Sequence, residues 1–79
     1  MIMKKIEETE EKVVYYFGPN EEYMGILEYN KAKGKVYVLK EVNDETGKNT
    51  AYARWATQKI ARILHKENGV FKDTVIIAH

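Results

Sequence analysis

Seventy-nine residues, 44% hydrophobic and 32% charged, are enough for one small globular domain, and no apolar run approaches the roughly 20 residues of a membrane span. The chain has neither cysteine nor serine, which excludes a disulfide framework, a thiolate metal site and serine or cysteine nucleophiles; none of Thr9, Thr46, Thr50, Thr57 or Thr74 is a free N-terminal residue. The net charge of +1 hides an asymmetry: residues 1–30 carry three lysines against seven glutamates, a net −4, while residues 31–79 carry ten basic residues against five acidic ones, a net +5.

The first residues, Met1 to Lys5, place an apolar triplet before two lysines, which reverses the order of a signal peptide and makes the cytoplasm the expected compartment. Residues 1–11 read as a strand or an irregular N-terminal arm, with Ile2, Ile6 and Val13 as the apolar marks. Residues 12–17, KVVYYF, are β-branched and aromatic and predict a strand that Gly18, Pro19 and Asn20 end with turn chemistry. A hairpin follows, with strands over 23–29 and 35–42 joined at residues 30–34, where Gly34 suits the left-handed position of a bulged turn. With a three-residue loop, Tyr29 opposes Tyr37 and Leu27 opposes Leu39. One face then holds Tyr23, Leu27, Tyr29, Tyr37 and Leu39, and the other Met24, Ile26, Val36, Val38 and Val42.

Residues 43–49 are polar and read as a loop that delivers Asn49 or Thr50 as a helix N-cap. From there to residue 69 the spacing predicts an amphipathic helix of about 17 residues, near 25 Å long, stopped by Asn68-Gly69. Its apolar arc is Tyr52, Ala53, Ala56, Ile60, Ile63 and Leu64. In residues 70–78 the run Val75-Ile76-Ile77 predicts a strand covered on both faces and internal to the sheet. The expected fold is therefore α+β: a single-layer antiparallel sheet in β-β-β-α-β order, with one amphipathic helix on one face, in a single domain over residues 1–79.

Catalytic and metal motifs fail on spacing. The GKNT stretch at 47–50 ends like a phosphate loop, but Val42 stands where the first glycine belongs. A calcium loop starting at Asp44 would need glycine at its sixth position, where Asn49 stands. His65 and His79 have no ligand spacing between them, and the adjacent glutamates Glu7-Glu8, Glu10-Glu11 and Glu21-Glu22 point apart on strands or sit in turns. No cofactor and no metal is expected, and the chain is expected not to be an enzyme.

Two surfaces remain as binding candidates. On the helix, Arg54, Gln58 and Arg62 are spaced by four, with Lys59 and Lys66 beside them and Trp55 at the margin of the apolar arc. Guanidinium groups next to an indole can clamp phosphates or carboxylates or anchor a protein interface; equally, basic residues on an exposed helix only solubilise it, and an edge tryptophan can fold over the sheet. On the sheet, Tyr23, Tyr29 and Tyr37 form an aromatic platform if the helix covers the opposite side, able to meet a protein, a second subunit or nucleobases; ordinary cross-strand packing is the plain alternative. The expected function is a small non-catalytic protein-binding module of inhibitor, immunity or regulatory type. A nucleic-acid binder using the basic helix stripe is the alternative, and a homodimer through the tyrosine face is compatible with either.

Overall fold

The computed structural model describes residues 1–42, 49–66 and 68–76. Five strands and one helix follow in the order β1 (Ile2–Glu8), β2 (Lys12–Gly18), β3 (Gly25–Asn30), β4 (Lys35–Lys40), α1 (Asn49–Lys66) and β5 (Thr74–Ile76). The strands form one antiparallel sheet in the order β4-β3-β2-β1-β5, and α1 lies on one of its faces. The expected α+β class is the fold found, and the N-terminal arm takes the form of an additional strand.

β1 forms a hairpin with β2 because Thr9 organises the turn between them. Its hydroxyl accepts the backbone N–H groups of Glu11 and Lys12, each at 3.1 Å, and its own N–H donates to the Lys12 carbonyl at 2.8 Å. β1 thereby takes an interior position in the sheet, whereas the last strand had been expected to be the internal one. β5 is instead an edge strand of three residues, antiparallel to β1 through Ile2↔Ile76, Met3↔Val75 and Lys4↔Thr74. Of its apolar run only Val75 is covered; Ile76 is 78% exposed, and Ile77 lies outside the described residues. Since β4 and β5 run in the same direction at opposite edges, the connection through α1 crosses the whole width of the sheet.

The β3–β4 hairpin closes one residue away from the expected register. Asn30 caps its own turn, its side-chain oxygen accepting the Lys33 N–H at 2.9 Å and its carbonyl the Gly34 N–H at 2.8 Å. The strands therefore close at Asn30↔Lys35, with Gly34 at φ 66° as the fourth loop residue. Tyr29 opposes Val36 and Leu27 opposes Val38, while Tyr37 opposes Glu28. This one-residue difference moves Tyr37 to the other face, because side chains alternate along a strand.

The helix covers the face that carries Met3, Val13, Tyr15, Phe17, Leu27, Tyr29 and Val75, into which Ala53, Ala56, Ile60 and Ile63 are buried. Each fully buried side chain of this set, Phe17 or Leu27 for example, contributes on the order of 1.5–3 kcal/mol through its burial. Gly25 sits opposite Phe17, and a Cβ there would stand 2.8 Å from the ring and 2.5 Å from the Lys40 carbonyl oxygen. Only glycine leaves room for both. The predicted helix stop is present: Asn68 and Gly69 have φ of 55° and 72°, and the Gly69 N–H donates to the Ile63 carbonyl at 3.0 Å. The capping side chains expected at Asn49 and Thr50, the loop over residues 43–48 with its phosphate-loop and calcium-loop positions, and His79 lie outside the described residues.

Candidate interaction surfaces

The covered face accounts for Tyr29. It is 8% exposed, and its ring stands 5.9 Å from that of Phe71, which also meets Tyr15 at 6.5 Å. Phe71 belongs to the segment that returns from α1 to β5, and several groups hold that segment in place. The Tyr15 hydroxyl donates to the Lys72 carbonyl at 2.6 Å, and the Lys5 ammonium donates to the Phe71 carbonyl at 3.1 Å. Lys31 places its ammonium 5.7 Å from the centre of the Phe71 ring.

Glu8 joins these lysines, accepting from Lys5 at 2.9 Å and Lys31 at 3.0 Å, and Lys5 also pairs with Asp73 at 3.2 Å. Hydrogen bonds from Lys5 and Lys31 hold the Glu8 carboxyl below its ordinary range, and those to Glu8 and Asp73 raise the Lys5 ammonium above its own. The lysine of the Lys4–Glu21 ion pair likewise lowers the Glu21 carboxyl. All of these are solvent-facing pairs, and among the described residues no carboxylate, lysine or histidine is buried. Nor does any group of three or more His, Cys, Asp or Glu side chains among them converge as a metal site would.

The opposite face of the sheet is open. Register places Tyr37, Glu28, Val14 and Glu7 in one row across β4, β3, β2 and β1, and Lys40, Ile26, Tyr16, Lys4 and Thr74 in the next, which extends to β5. Tyr16 is 42% exposed and Tyr37 38%, with Val14 and the half-buried Ile26 between them. Charges of both signs rim this centre. Lys12 lies 3.8 Å from Glu7 and 3.9 Å from Glu28, and Met24 and Glu21 join Lys4 and Tyr16 in lining a shallow depression.

The three tyrosines expected to share a platform are thus separated: Tyr37 stands on the open face, Tyr29 is in the core, and Tyr23 is half-buried against the core from the turn before β3. Tyr16, Val14 and Ile26 form the open face with Tyr37 instead. All of KVVYYF is apolar apart from its lysine, so its composition gives no indication of which alternate residues face out.

On α1, Arg54, Gln58, Arg62 and Lys66 are all exposed, as is His65 in the last turn. Trp55 is half-buried, its ring edge-on to Tyr52 at 5.5 Å and 79°, and Tyr52 in turn packs against the core. Lys59, one turn on, is also half-buried and lines a groove between α1 and β5 with Ile63, Lys72 and Val75. Trp55 thus stands at the margin of the buried arc, while Arg54, Arg62 and Lys66 are exposed. Among the described residues no helix is long and apolar enough to cross a membrane.

The chain matches no protein-family model, no curated protein and no solved structure.

Proposed function

We propose that the protein is a small non-catalytic binding module, of inhibitor, immunity or regulatory type, that engages another protein through the open face of its sheet. The observation that carries this reading is the exposed pair Tyr16 and Tyr37, with Val14, Ile26 and the half-buried Glu28 between them and Lys4, Lys12 and Glu7 around them. Aromatic and aliphatic groups at the centre with a charged rim are the anatomy of a protein interface, where tyrosine is enriched among the residues that dominate affinity.

Affinity capture from the native host tests the proposal. The wild-type chain should retain a protein partner that Tyr16→Ala loses and Arg62→Ala keeps; recovery of no partner at micromolar bait would overturn it. A second reading rests on the helix, since residues 49–66 contain Arg54, Lys59, Arg62 and Lys66 and no acidic residue. A nucleic-acid backbone would suit that stripe, with binding that weakens steeply as salt rises. Unchanged electrophoretic mobility of DNA and RNA at low salt would remove it.

A further inference from the structure

The cations of the chain fall into two groups. Lys4, Lys5, Lys12 and Lys31 each pair with a glutamate, whereas Lys33, Lys35, Lys40 and Arg54 form no ion pair with any described residue. The second group belongs to β4, the turn before it, and α1. Residues 31–40 and 49–66 contain four lysines or arginines each and no aspartate or glutamate. A groove separates these two cationic elements. α1 lies over β2 and β3, and β4 reaches past it at the end of the sheet. The groove is walled by Val36 on the strand and by Thr57, Ile60, Ala61 and Leu64 on the helix, of which Thr57, Ala61 and Leu64 are exposed. Val38, on the same face of β4 as Val36, is exposed too. Helical spacing sets Arg54 and His65 in one stripe with Ala61, on the ridge above the groove. The outer side of β4 bounds the groove, and no described strand pairs with it. The bulge at Leu39 interrupts that edge and leaves residues 35–38 as its regular stretch.

We propose that this edge and groove bind an extended acidic segment of another protein, which adds a strand to residues 35–38 of β4. Alternation along a strand gives the two sides of such a segment different surroundings. Side chains on the helix-bearing face enter the groove against Val36, Val38, Ala61 and Leu64, which suits aliphatic residues. Those between them turn to the open face, where Lys35 and Lys40 stand at the two ends of β4, which suits glutamate or aspartate. The ligand class is therefore a segment in which apolar and acidic residues alternate. Lysines at both ends of an edge oppose its pairing with a copy of itself, while an acidic strand meets them favourably. A nucleic-acid strand would satisfy the charge but not the walls. Single strands are held by stacking their bases on aromatic rings, and here the walls are aliphatic and Tyr29, beneath them, is buried. This inference does not rest on the binding role of the open face, whose Tyr16 lies two strands away.

A nuclear magnetic resonance titration of the full chain with the end-blocked peptide Glu-Leu-Glu-Leu-Glu-Leu-Glu tests it. Amide shifts should move saturably below about 1 mM peptide and cluster at residues 35–38 and 57–64. The isomer Glu-Glu-Leu-Leu-Leu-Glu-Glu has the same charge and composition without the alternation, and it should bind at least about fivefold more weakly. The counterpart with lysine in place of every glutamate should not bind. Ala61→Glu puts an acid in the groove wall and Lys35→Glu reverses the charge at the end of β4; each should weaken binding about tenfold. Both positions are exposed, so the fold should survive either change. Tyr16→Ala should leave peptide binding unchanged, which keeps a failure here apart from a failure of the open-face reading. Shifts that are absent at that concentration or lie outside β4 and α1, equal binding of the two glutamate peptides, binding of the lysine peptide, or indifference to both charged substitutions would overturn the proposal. So would a single-stranded oligonucleotide that produces the same shifts more strongly than the peptide does.

Discussion

Tyr15 and Tyr16 are neighbours of the same type in the same strand, and they do opposite things. Tyr15 is fully buried under the helix with its hydroxyl on the Lys72 carbonyl, while Tyr16 stands 42% exposed among lysines and glutamates on the other face. The whole sheet repeats this division: Val13, Tyr15, Phe17, Leu27 and Tyr29 are held in a dry layer against α1, and Val14, Tyr16, Ile26 and Tyr37 face outward. A chain of this length has one helix to spend on two apolar faces. Stability is therefore concentrated on one side, and substitutions on the other should change it little.

The largest effect should come from removing bulk on the covered side. Phe17→Ala would empty a fully buried site and should destabilise the domain by about 3–5 kcal/mol, enough to unfold a large fraction of a chain this small. Tyr16→Ala, one position earlier, should shift stability by no more than about 1 kcal/mol. Urea or thermal melts of the two variants side by side measure the contrast, and equal losses would show that the open face is structural after all. Gly25→Ala should come next, at about 1–3 kcal/mol, because the added methyl would press on both the Phe17 ring and the Lys40 carbonyl. Combined with Phe17→Leu, the total loss should be less than the sum of the two, since the smaller side chain relieves the contact with the added methyl.

The two faces were not equally legible from residues alone. Most of the helix arc could be read directly, since a 3.6-residue period distinguishes Ala53, Ala56, Ile60 and Ile63 from the exposed Arg54, Gln58 and Arg62, although Leu64, expected in the arc, is 38% exposed; the Asn68-Gly69 stop needs only local chemistry. The strands gave no such contrast, because β2 and β4 are apolar at almost every position and a period of two is invisible in a continuous run. Facial assignment then depended on the turn, and the Asn30 side chain closing a four-residue loop moved Tyr37 from one side to the other. Ion pairs such as Lys4–Glu21, and the pairing of β1 with β5, join residues far apart in the chain, which no local pattern records.

Intermediate in size is the effect of a single hydrogen bond on the covered side. Tyr15→Phe keeps the ring against Phe71 and deletes the donor to the Lys72 carbonyl, so it should lower stability by about 1 kcal/mol. The loss should appear as faster hydrogen exchange in the return segment before β5 more than in β2 or β3, since the bond ties that segment to the sheet.

The smallest effect belongs to the solvent-facing cluster at the sheet's end, and its sign can be worked out. Glu8 titrates below its ordinary range in the folded chain because Lys5 and Lys31 hydrogen-bond its ionised form. The folded state therefore holds the proton less tightly than the unfolded one, and the cluster's contribution is complete above the ordinary carboxylate range, near pH 4.3, and lost as pH falls through it. Lys5 behaves in the opposite sense: its raised value means that its contribution is complete at neutral pH and is lost only at strongly alkaline pH, above the ordinary lysine range. Between those limits the cluster should give a flat stability profile. Glu8→Gln should lower the plateau slightly and flatten the acid limb of the melting curve, with a difference from wild type that shrinks below pH 4 and also shrinks in high salt, because exposed pairs are screened. A variant whose deficit instead stayed constant down to pH 2 would mean that Glu8 acts through packing at the end of β1, and that the Phe71 segment is held by Tyr15 and the rings alone.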